Sequence, residues 1–300
     1  MKSAQSKRLI FGALLIVLLV GLLVGEGWLS VEGYLRGPGV AGWGFAAIAA
    51  LLSAVACREL WRLVLPGQVS VLSLMTTGAV VLIVTQPCWS GYIADNNTEL
   101  LAGMLIGLFL LISLAQGITG GVRGVISNLG LSSLSMLYLG LGMWFVVMIR
   151  KLGGQAPTLW GQIGLVTMFL VCVKSCDIGA YFIGKAFGRH PWVPTISPKK
   201  TWEGFLGGLL VGTMVASLFS VFSGIISIGT SVVFGVVVSL SGQLGDLLES
   251  MLKRDAGRKD SAHLIPEFGG VLDLIDSVIV AAPVGYLVLL MAGPCSEWLY

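Results

Sequence analysis

The sequence alternates between long apolar runs and shorter polar segments. Runs long enough to cross a bilayer core, about 20 residues, predict nine transmembrane helices. The first run lacks an A-x-A cleavage pattern, so we interpret it as an uncleaved helix rather than a signal peptide. This pattern predicts an all-α polytopic membrane protein with spans at about 9–25, 39–57, 69–87, 100–118, 131–149, 160–176, 205–222, 228–248 and 271–292.

Composition supports this class. Hydrophobic residues make up 56% of the 300 residues and charged residues 11%, and the mean hydropathy is +0.92, whereas about a quarter of the residues of a soluble protein are charged. The five cysteines include no C-x-x-C pair, so neither a disulfide framework nor a zinc site is indicated. The net charge of +3 is too small and too dispersed to suggest a nucleic-acid partner.

The basic residues predict the orientation of the spans. With the N-terminus inside, 14 Lys and Arg residues fall on the cytoplasmic side and three on the other. Because cytoplasmic loops of membrane proteins are enriched in Lys and Arg, we expect a cytoplasmic N-terminus. Both large charged loops, 178–204 and 249–270, then face the cytoplasm.

The chain has no linker long enough to separate two folded domains, but its chemistry is unevenly distributed. Residues 1–159 contain the first five predicted spans and few polar groups of interest. Arg58, Glu59 and Arg62, beside Trp61, are interpreted there as interfacial anchors. The candidate chemistry falls in residues 160–300.

Acidic residues are concentrated between Gly242 and Ser277, which include seven of the 15 in the chain. A helix over 242–254 places Asp246, Ser250 and Lys253 on one face, with Glu249 and Arg254 beside them.

The last predicted span begins with two acids, Asp273 and Asp276, on one face of an otherwise apolar helix. Lipid does not solvate ionised groups, so such residues usually mark an ion or substrate site. The alternative is a pair of acids solvated at the membrane interface.

The end of the sixth predicted span has Lys174 and Asp177 at i and i+3, followed by Tyr181. On its own, such a pair is more often an interfacial ion pair than a functional site. The following stretch, Gly184–Gly188, lacks the spacing and the hydroxyl of a P-loop, which excludes a Walker-type nucleotide site.

The stretch from Ser197 to Gly204 resembles a helix start, with Ser197 as N-cap and Pro198 at the first helical position. Free backbone N–H groups at a helix start attract anions, and Lys199 and Lys200 add positive charge. This predicts a phosphate-binding site. The alternative is a basic interfacial loop.

Three stretches resemble the phosphatidate cytidylyltransferase (CDP-diacylglycerol synthase) family. One begins at Asp177, the second is Ser197–Gly204, and the third is the signature formed by Ser250, Lys253, Arg254, Lys259, Asp260, Pro266, Gly269, Gly270, Asp273 and Asp276. Glu267, Phe268 and Leu274 depart from the commonest form, which has Gly, His and Arg there.

The resemblance implies an enzyme that converts CTP and phosphatidate to CDP-diacylglycerol and pyrophosphate. We expect it in the cell (inner) membrane, with its site facing the cytoplasm because the two large basic loops are predicted to lie there. The resemblance also implies Mg²⁺ as the cofactor, and a second cation is a further option. No nucleic acid is expected, and a homodimer is one option for assembly. For such a reaction the candidate catalytic residues are Asp246, Lys253, Arg254 and Asp273, the candidate metal ligands are Asp246, Asp273 and Asp276, and the candidate substrate-binding residues are Asp177, Tyr181, Ser197, Lys199, Lys200, Thr201, Ser250, Lys259 and Asp260.

Two other functions stay open at this point. One is a CTP-dependent enzyme acting on another lipid phosphate or on a lipid alcohol, because the family's His and Arg are absent here. The other is an ion-coupled transporter, since transporters also place acids on interior helix faces. The two basic loops favour an enzyme.

Overall fold

The computed structural model describes residues 21, 24–26, 28, 42–66, 70–92, 97–153, 159–258, 261–262 and 269–292. An antiparallel hairpin joins β1 (Pro191–Val193) to β2 (Ser197–Thr201). A π-helix, Ser135–Leu141, connects α4 to α5. The α-helices are α1 (Trp43–Val64), α2 (Val71–Trp89), α3 (Asn97–Thr119), α4 (Val125–Leu134), α5 (Gly142–Gly153), α6 (Leu159–Phe187), α7 (Trp202–Ser223), α8 (Ile228–Asp255) and α9 (Leu272–Ala292).

Eight helical segments among the described residues are long and apolar enough to cross a membrane. Seven of them are single helices, and the eighth runs from α4 through the π-helix to α5 (Val125–Gly153). They match the second to ninth predicted spans, so the all-α polytopic architecture is confirmed. The first predicted span, at about 9–25, lies almost entirely outside the described residues.

The chain divides into two compact units. Unit 1 comprises residues 1–147 and 260–274, and unit 2 comprises residues 148–259 and 275–300. In unit 1, α1 packs on α2, and α2 packs on α3 and the π-helix. Buried hydrogen bonds tie α2 to α4 and α5: Thr76 donates to Ser132 (3.0 Å) and the Trp144 indole donates to Gln86 (2.6 Å).

Unit 2 is built on close packing of α6 against α7 and of α7 against α8. A side chain at Gly208 would have its Cβ 2.8 Å from the Ala180 Cβ and the Cys176 carbonyl oxygen. Small residues at every fourth position let helices approach in this way. The buried face of α7 consists of Gly204, Gly208, Gly212, Ala216 and Ser220.

The predicted helix start at Ser197 and Pro198 is wrong. Both residues belong to strand β2, and α7 begins at Trp202 with Thr201 as its N-cap. The Thr201 hydroxyl accepts a hydrogen bond from the Gly204 N–H at 3.2 Å. A Ser-Pro pair also suits the first residues of an edge strand, because proline lacks the N–H that a central strand would use.

The loops within the two charged segments, 178–204 and 249–270, are shorter than predicted. Helix α6 continues to Phe187 and α8 to Asp255, so the beginnings of segments 178–204 and 249–270 are helical. In α6 the apolar residues Ile178, Tyr181 and Phe182 are exposed, consistent with a helix that extends toward the edge of the bilayer.

The cysteines behave as small apolar residues. Cys57, Cys88, Cys172 and Cys176 are free and buried.

Candidate active site

A cavity of about 520 Å³ opens in unit 2 among α6, the hairpin, α7 and α8. Its cationic lining comes from Lys185 on α6 and from Lys199 and Lys200 on β2. Five of the predicted substrate-binding residues line this cavity: Asp177, Tyr181, Lys199, Lys200 and Thr201. A cavity with several lysines suits a polyanionic ligand such as a nucleotide.

The lining of the cavity also contains carboxylates. Asp177 of α6 and Asp246 of α8 both line it. Carboxylate oxygens of Asp246, Glu249 and Asp276 lie within 4.8 Å of one another, and Glu249 and Asp276 are buried. An all-oxygen set of this kind has the chemistry that Mg²⁺ prefers, so these residues fit a divalent cation.

Three acids of unit 2 pair with lysines. Lys200 Nζ lies 2.9 Å from Asp246 Oδ2, and Lys253 pairs with the buried Glu249 one helical turn away. Lys174 Nζ lies 3.1 Å from Asp177 Oδ2, which confirms the i, i+3 ion pair. These pairs compensate carboxylates that would be costly in an apolar surrounding.

A chain of hydrogen bonds runs from α6 to α9 within unit 2. The Ser277 hydroxyl donates to Asp177 Oδ1 at 3.4 Å, and the Ser277 backbone N–H donates to Asp276 Oδ1 at 2.6 Å. Asp276, which is 4% exposed, is therefore oriented by its own helix. The structure brings together Asp177, Asp246 and Asp276 of the predicted site residues.

Asp273 belongs to unit 1, where its carboxylate has backbone and side-chain donors. Its Oδ2 accepts hydrogen bonds from the Gly270 N–H (2.7 Å), the Ser261 hydroxyl (2.7 Å) and the Ser261 N–H (3.4 Å). Among the described residues, the side chains grouped closely enough to hold a metal ion are those of Asp246, Glu249 and Asp276, and Asp273 is not in this group. The assignment of Asp273 as a metal ligand stays a prediction.

The other predicted site residues have separate places. Arg254 donates from Nε to the carbonyl of Ile196 at 3.3 Å, which holds the hairpin turn against α8. Ser197 lies half-buried in β2, and Ser250 half-buried on α8. Lys259 and Asp260 lie outside the described residues.

Comparison with known proteins identifies the chain. The sequence model of the family described as "Cytidylyltransferase family" matches residues 6–292. The chain belongs to the cytidylyltransferase family.

Curated members of the cytidylyltransferase family resemble the chain over most of its length. It is 32% identical to the phosphatidate cytidylyltransferase of Mycobacterium bovis, over 82% of this chain and 80% of that protein. It is 33% identical to the phosphatidate cytidylyltransferase of Bacillus subtilis, over 80% of this chain and 84% of that protein. A shorter match, 44% identical, covers 45% of this chain and 34% of phosphatidate cytidylyltransferase 5, chloroplastic, of Arabidopsis thaliana.

Three residues of this cytidylyltransferase were not predicted as site residues. Glu249 joins the carboxylate cluster; its signal was an acid one turn before Lys253 in an apolar helix. Trp192 and Phe205 line the cavity and their rings lie 4.5 Å apart. No local pattern marked these two aromatic rings, because the hairpin that brings them together was not expected.

Proposed function

We propose that this cytidylyltransferase joins CTP to phosphatidate, forming CDP-diacylglycerol and releasing pyrophosphate. Support comes from the names of the curated relatives that match most of the chain. The observation that carries the proposal is the cavity lined by lysines and by Asp246, because it offers one place for a triphosphate and a cation.

The reaction requires positioning more than acid–base chemistry. A phosphate oxygen of phosphatidate attacks the α-phosphorus of CTP, a new P–O bond forms, and the bond to the β-phosphate breaks. The electron pair of that bond leaves with pyrophosphate. Because the attacking phosphate is already an anion, no side chain has to remove a proton from it.

The residues of the cavity divide this work. We assign Lys199, which is exposed on β2, and Lys185 of α6 to the phosphates of CTP. Lys200, now paired with Asp246, would contact the phosphate nearest to the carboxylates. Lys253 and Arg254, at the end of α8 and outside the cavity lining, are assigned to the departing pyrophosphate.

Mg²⁺ is part of the proposal. Asp246, Glu249 and Asp276 would hold it in unit 2, and Asp273 keeps its expected role as a metal ligand. When bound, the ion would neutralise charge that develops on the leaving pyrophosphate. The lysines already paired with Asp246 and Glu249 would shift toward substrate phosphates when a cation takes their place.

The eight described spans make this a multi-pass membrane protein. We propose that it resides in the cell (inner) membrane with the cavity open to the cytoplasm, where CTP is found. The orientation rests on the distribution of Lys and Arg.

A purified preparation in detergent micelles would test the activity. We expect pyrophosphate release from CTP that requires both phosphatidate and Mg²⁺, with one CDP-diacylglycerol formed for each pyrophosphate. ATP and UTP serve as nucleotide controls, and a lipid alcohol and a second lipid phosphate as acceptor controls. Release without any lipid acceptor, or faster reaction with another acceptor, would contradict the proposal.

A further inference from the structure

Glu59 has a buried carboxylate, although the sequence predicts it at the membrane interface. It lies near the end of α1 and is 1% exposed, so its interpretation as an interfacial anchor is wrong. A buried carboxylate is costly unless hydrogen-bond donors satisfy it. Its partners therefore indicate what it does.

The donors are the backbone N–H groups of the residue before α9 and of its first residue, both within unit 1. The Val271 N–H donates to Glu59 Oε1 at 2.9 Å, and the Leu272 N–H donates to Oε2 at 2.8 Å. The first N–H groups of a helix have no partner inside it and sit at the positive end of its dipole. Glu59 thus caps α9 from a helix more than 200 residues earlier in the chain.

The same carboxylate is linked to Asp273. The Ser261 hydroxyl lies 3.5 Å from Glu59 Oε2 and donates to Asp273 Oδ2 at 2.7 Å. Asp273 in turn accepts from the Gly270 N–H at 2.7 Å. The carboxylates of Glu59 and Asp273 therefore both contact Ser261, and both accept hydrogen bonds from the backbone turn before α9.

The two glycines of that turn leave room for the carboxylates. A Cβ at Gly270 would overlap the Ser261 hydroxyl and the Glu59 carboxylate. At Gly269 the φ angle is +100°, and a Cβ would lie 2.6 Å from Asp273 Oδ2. A side chain at either position would displace an acid.

We propose that Glu59 is a positioning residue: it fixes the first turn of α9 and, through Ser261, the carboxylate of Asp273. This inference rests on the proposed function for the role of Asp273 in the reaction. The contact itself is independent of that function. Glu59 neither lines the cavity nor belongs to the carboxylate cluster, so it acts through the backbone that it holds.

Amide hydrogen exchange tests the contact without any assay of activity. In the full-length protein in detergent, Glu59→Gln should speed exchange at Val271 and Leu272 by about tenfold or more, since their acceptors are weakened. The matched control is Glu26→Gln. Glu26 is another buried carboxylate of unit 1, and it accepts from the N–H groups of Gly42 and Gly44 at the start of α1. That control should leave exchange at Val271 and Leu272 unchanged.

Kinetics then separate positioning from simple stabilisation. We expect Glu59→Gln to lower kcat by about 10–100-fold, the usual range when a group that orients a metal ligand is lost. The Mg²⁺ concentration for half-maximal activity should rise, while the KM for CTP changes little. Glu26→Gln should lower thermal stability comparably but leave the Mg²⁺ requirement as it is.

Ser261→Ala provides a second route if Glu59 variants do not fold. It keeps the cap on α9 and removes the hydroxyl that joins the two acids, so the Mg²⁺ requirement should rise without faster exchange at Val271. Rescue by Ser261→Thr, which restores a hydroxyl, would support the link.

The outcomes are distinguishable. Unchanged exchange in Glu59→Gln would overturn the capping contact. Faster exchange with unchanged kcat and Mg²⁺ requirement would overturn the positioning role. If the wild-type protein had no transferase activity, the proposed function would fail, and the exchange result would still decide whether Glu59 holds the start of α9.

Discussion

At the scale of single residues, the acids of the site are defined by their partners. Asp177, Asp246 and Glu249 each pair with a lysine, and Glu59 is satisfied by backbone N–H groups. Sequence patterns predicted the Lys174–Asp177 pair because both residues lie one turn apart on one helix. They did not predict the partners of Glu59, since no local period connects α1 with the start of α9.

Removing single lysines from the cavity should separate two effects. Lys199→Gln should raise the KM for CTP about 10–100-fold, because one charge-assisted contact is worth about 1.5–3 kcal/mol. Lys200→Gln should raise it similarly and also lower thermal stability, since Asp246 loses the ammonium group 2.9 Å away. Steady-state kinetics and thermal unfolding in detergent measure both.

Arg123→Gln is the control for the two lysine variants. Arg123 is exposed between α3 and α4 and is not among the residues that line the cavity. It should leave the KM for CTP unchanged. An equal rise in all three variants would indicate a general effect of surface charge and contradict the assignment of Lys199 and Lys200.

The metal site predicts a loss of ligand-induced stabilisation. A ligand that binds the folded state raises the unfolding temperature, so Mg²⁺ should raise it in the wild type. Asp246→Asn and Glu249→Gln should abolish this rise, because each removes a carboxylate of the cluster. Turnover should be lost in both, as in Asp273→Asn.

Glu203→Gln is the matched control for this measurement. Glu203 lies in the same unit and pairs with His190 at 2.6 Å, outside the carboxylate cluster. It should keep the Mg²⁺-dependent rise. Persistence of the rise in the Asp246 and Glu249 variants would rule out this cluster as the binding site.

At the scale of elements, the junction between β2 and α7 positions the cationic wall of the cavity. Thr201 ends the strand and caps the helix, so Lys199 and Lys200 lie on a strand directly before a helix start. The sequence indicated the right segment and the wrong element, because Ser197 and Pro198 satisfy the rules for a helix N-terminus and for an edge strand alike. The pairing of β2 with β1 decides between them.

Thr201→Val tests how much the N-cap of α7 contributes to stability and to CTP binding. Loss of the cap costs about 1 kcal/mol, so the unfolding temperature should fall and the KM for CTP should rise as the strand loosens. Thr201→Ser keeps the hydroxyl and should behave like the wild type. Thermal unfolding combined with CTP kinetics is the measurement, and a Thr201→Val enzyme with normal values of both would argue against the cap.

At the scale of the whole molecule, hydropathy alone predicted the spans from the second to the ninth, because each needs an apolar run of bilayer length. Periodicity also placed Asp246 and Lys253 on one face of α8. It did not reveal that Glu249 would be buried, which depends on how α8 packs in unit 2. The division into units 1 and 2 likewise follows from tertiary contacts rather than from any linker.

Topology is the prediction at this scale. With nine spans and a cytoplasmic N-terminus, a reporter fused after Tyr300 should lie outside the cytoplasm and one inserted near Gly257 inside it. Alkaline phosphatase and green fluorescent protein fusions report the two sides. A cytoplasmic C-terminus would show that the number of spans or the starting side is wrong.

The lysine partners of the acids also bear on biosynthesis. A nascent chain must enter the bilayer before it can meet any substrate, and isolated charges are poorly tolerated there. Since Asp177, Asp246 and Glu249 each have an ammonium partner within the same unit, the newly made protein supplies its own counter-ions. We therefore expect protein in membranes treated with a chelator of Mg²⁺ to stay inserted and folded but inactive, and to become active when the ion is restored.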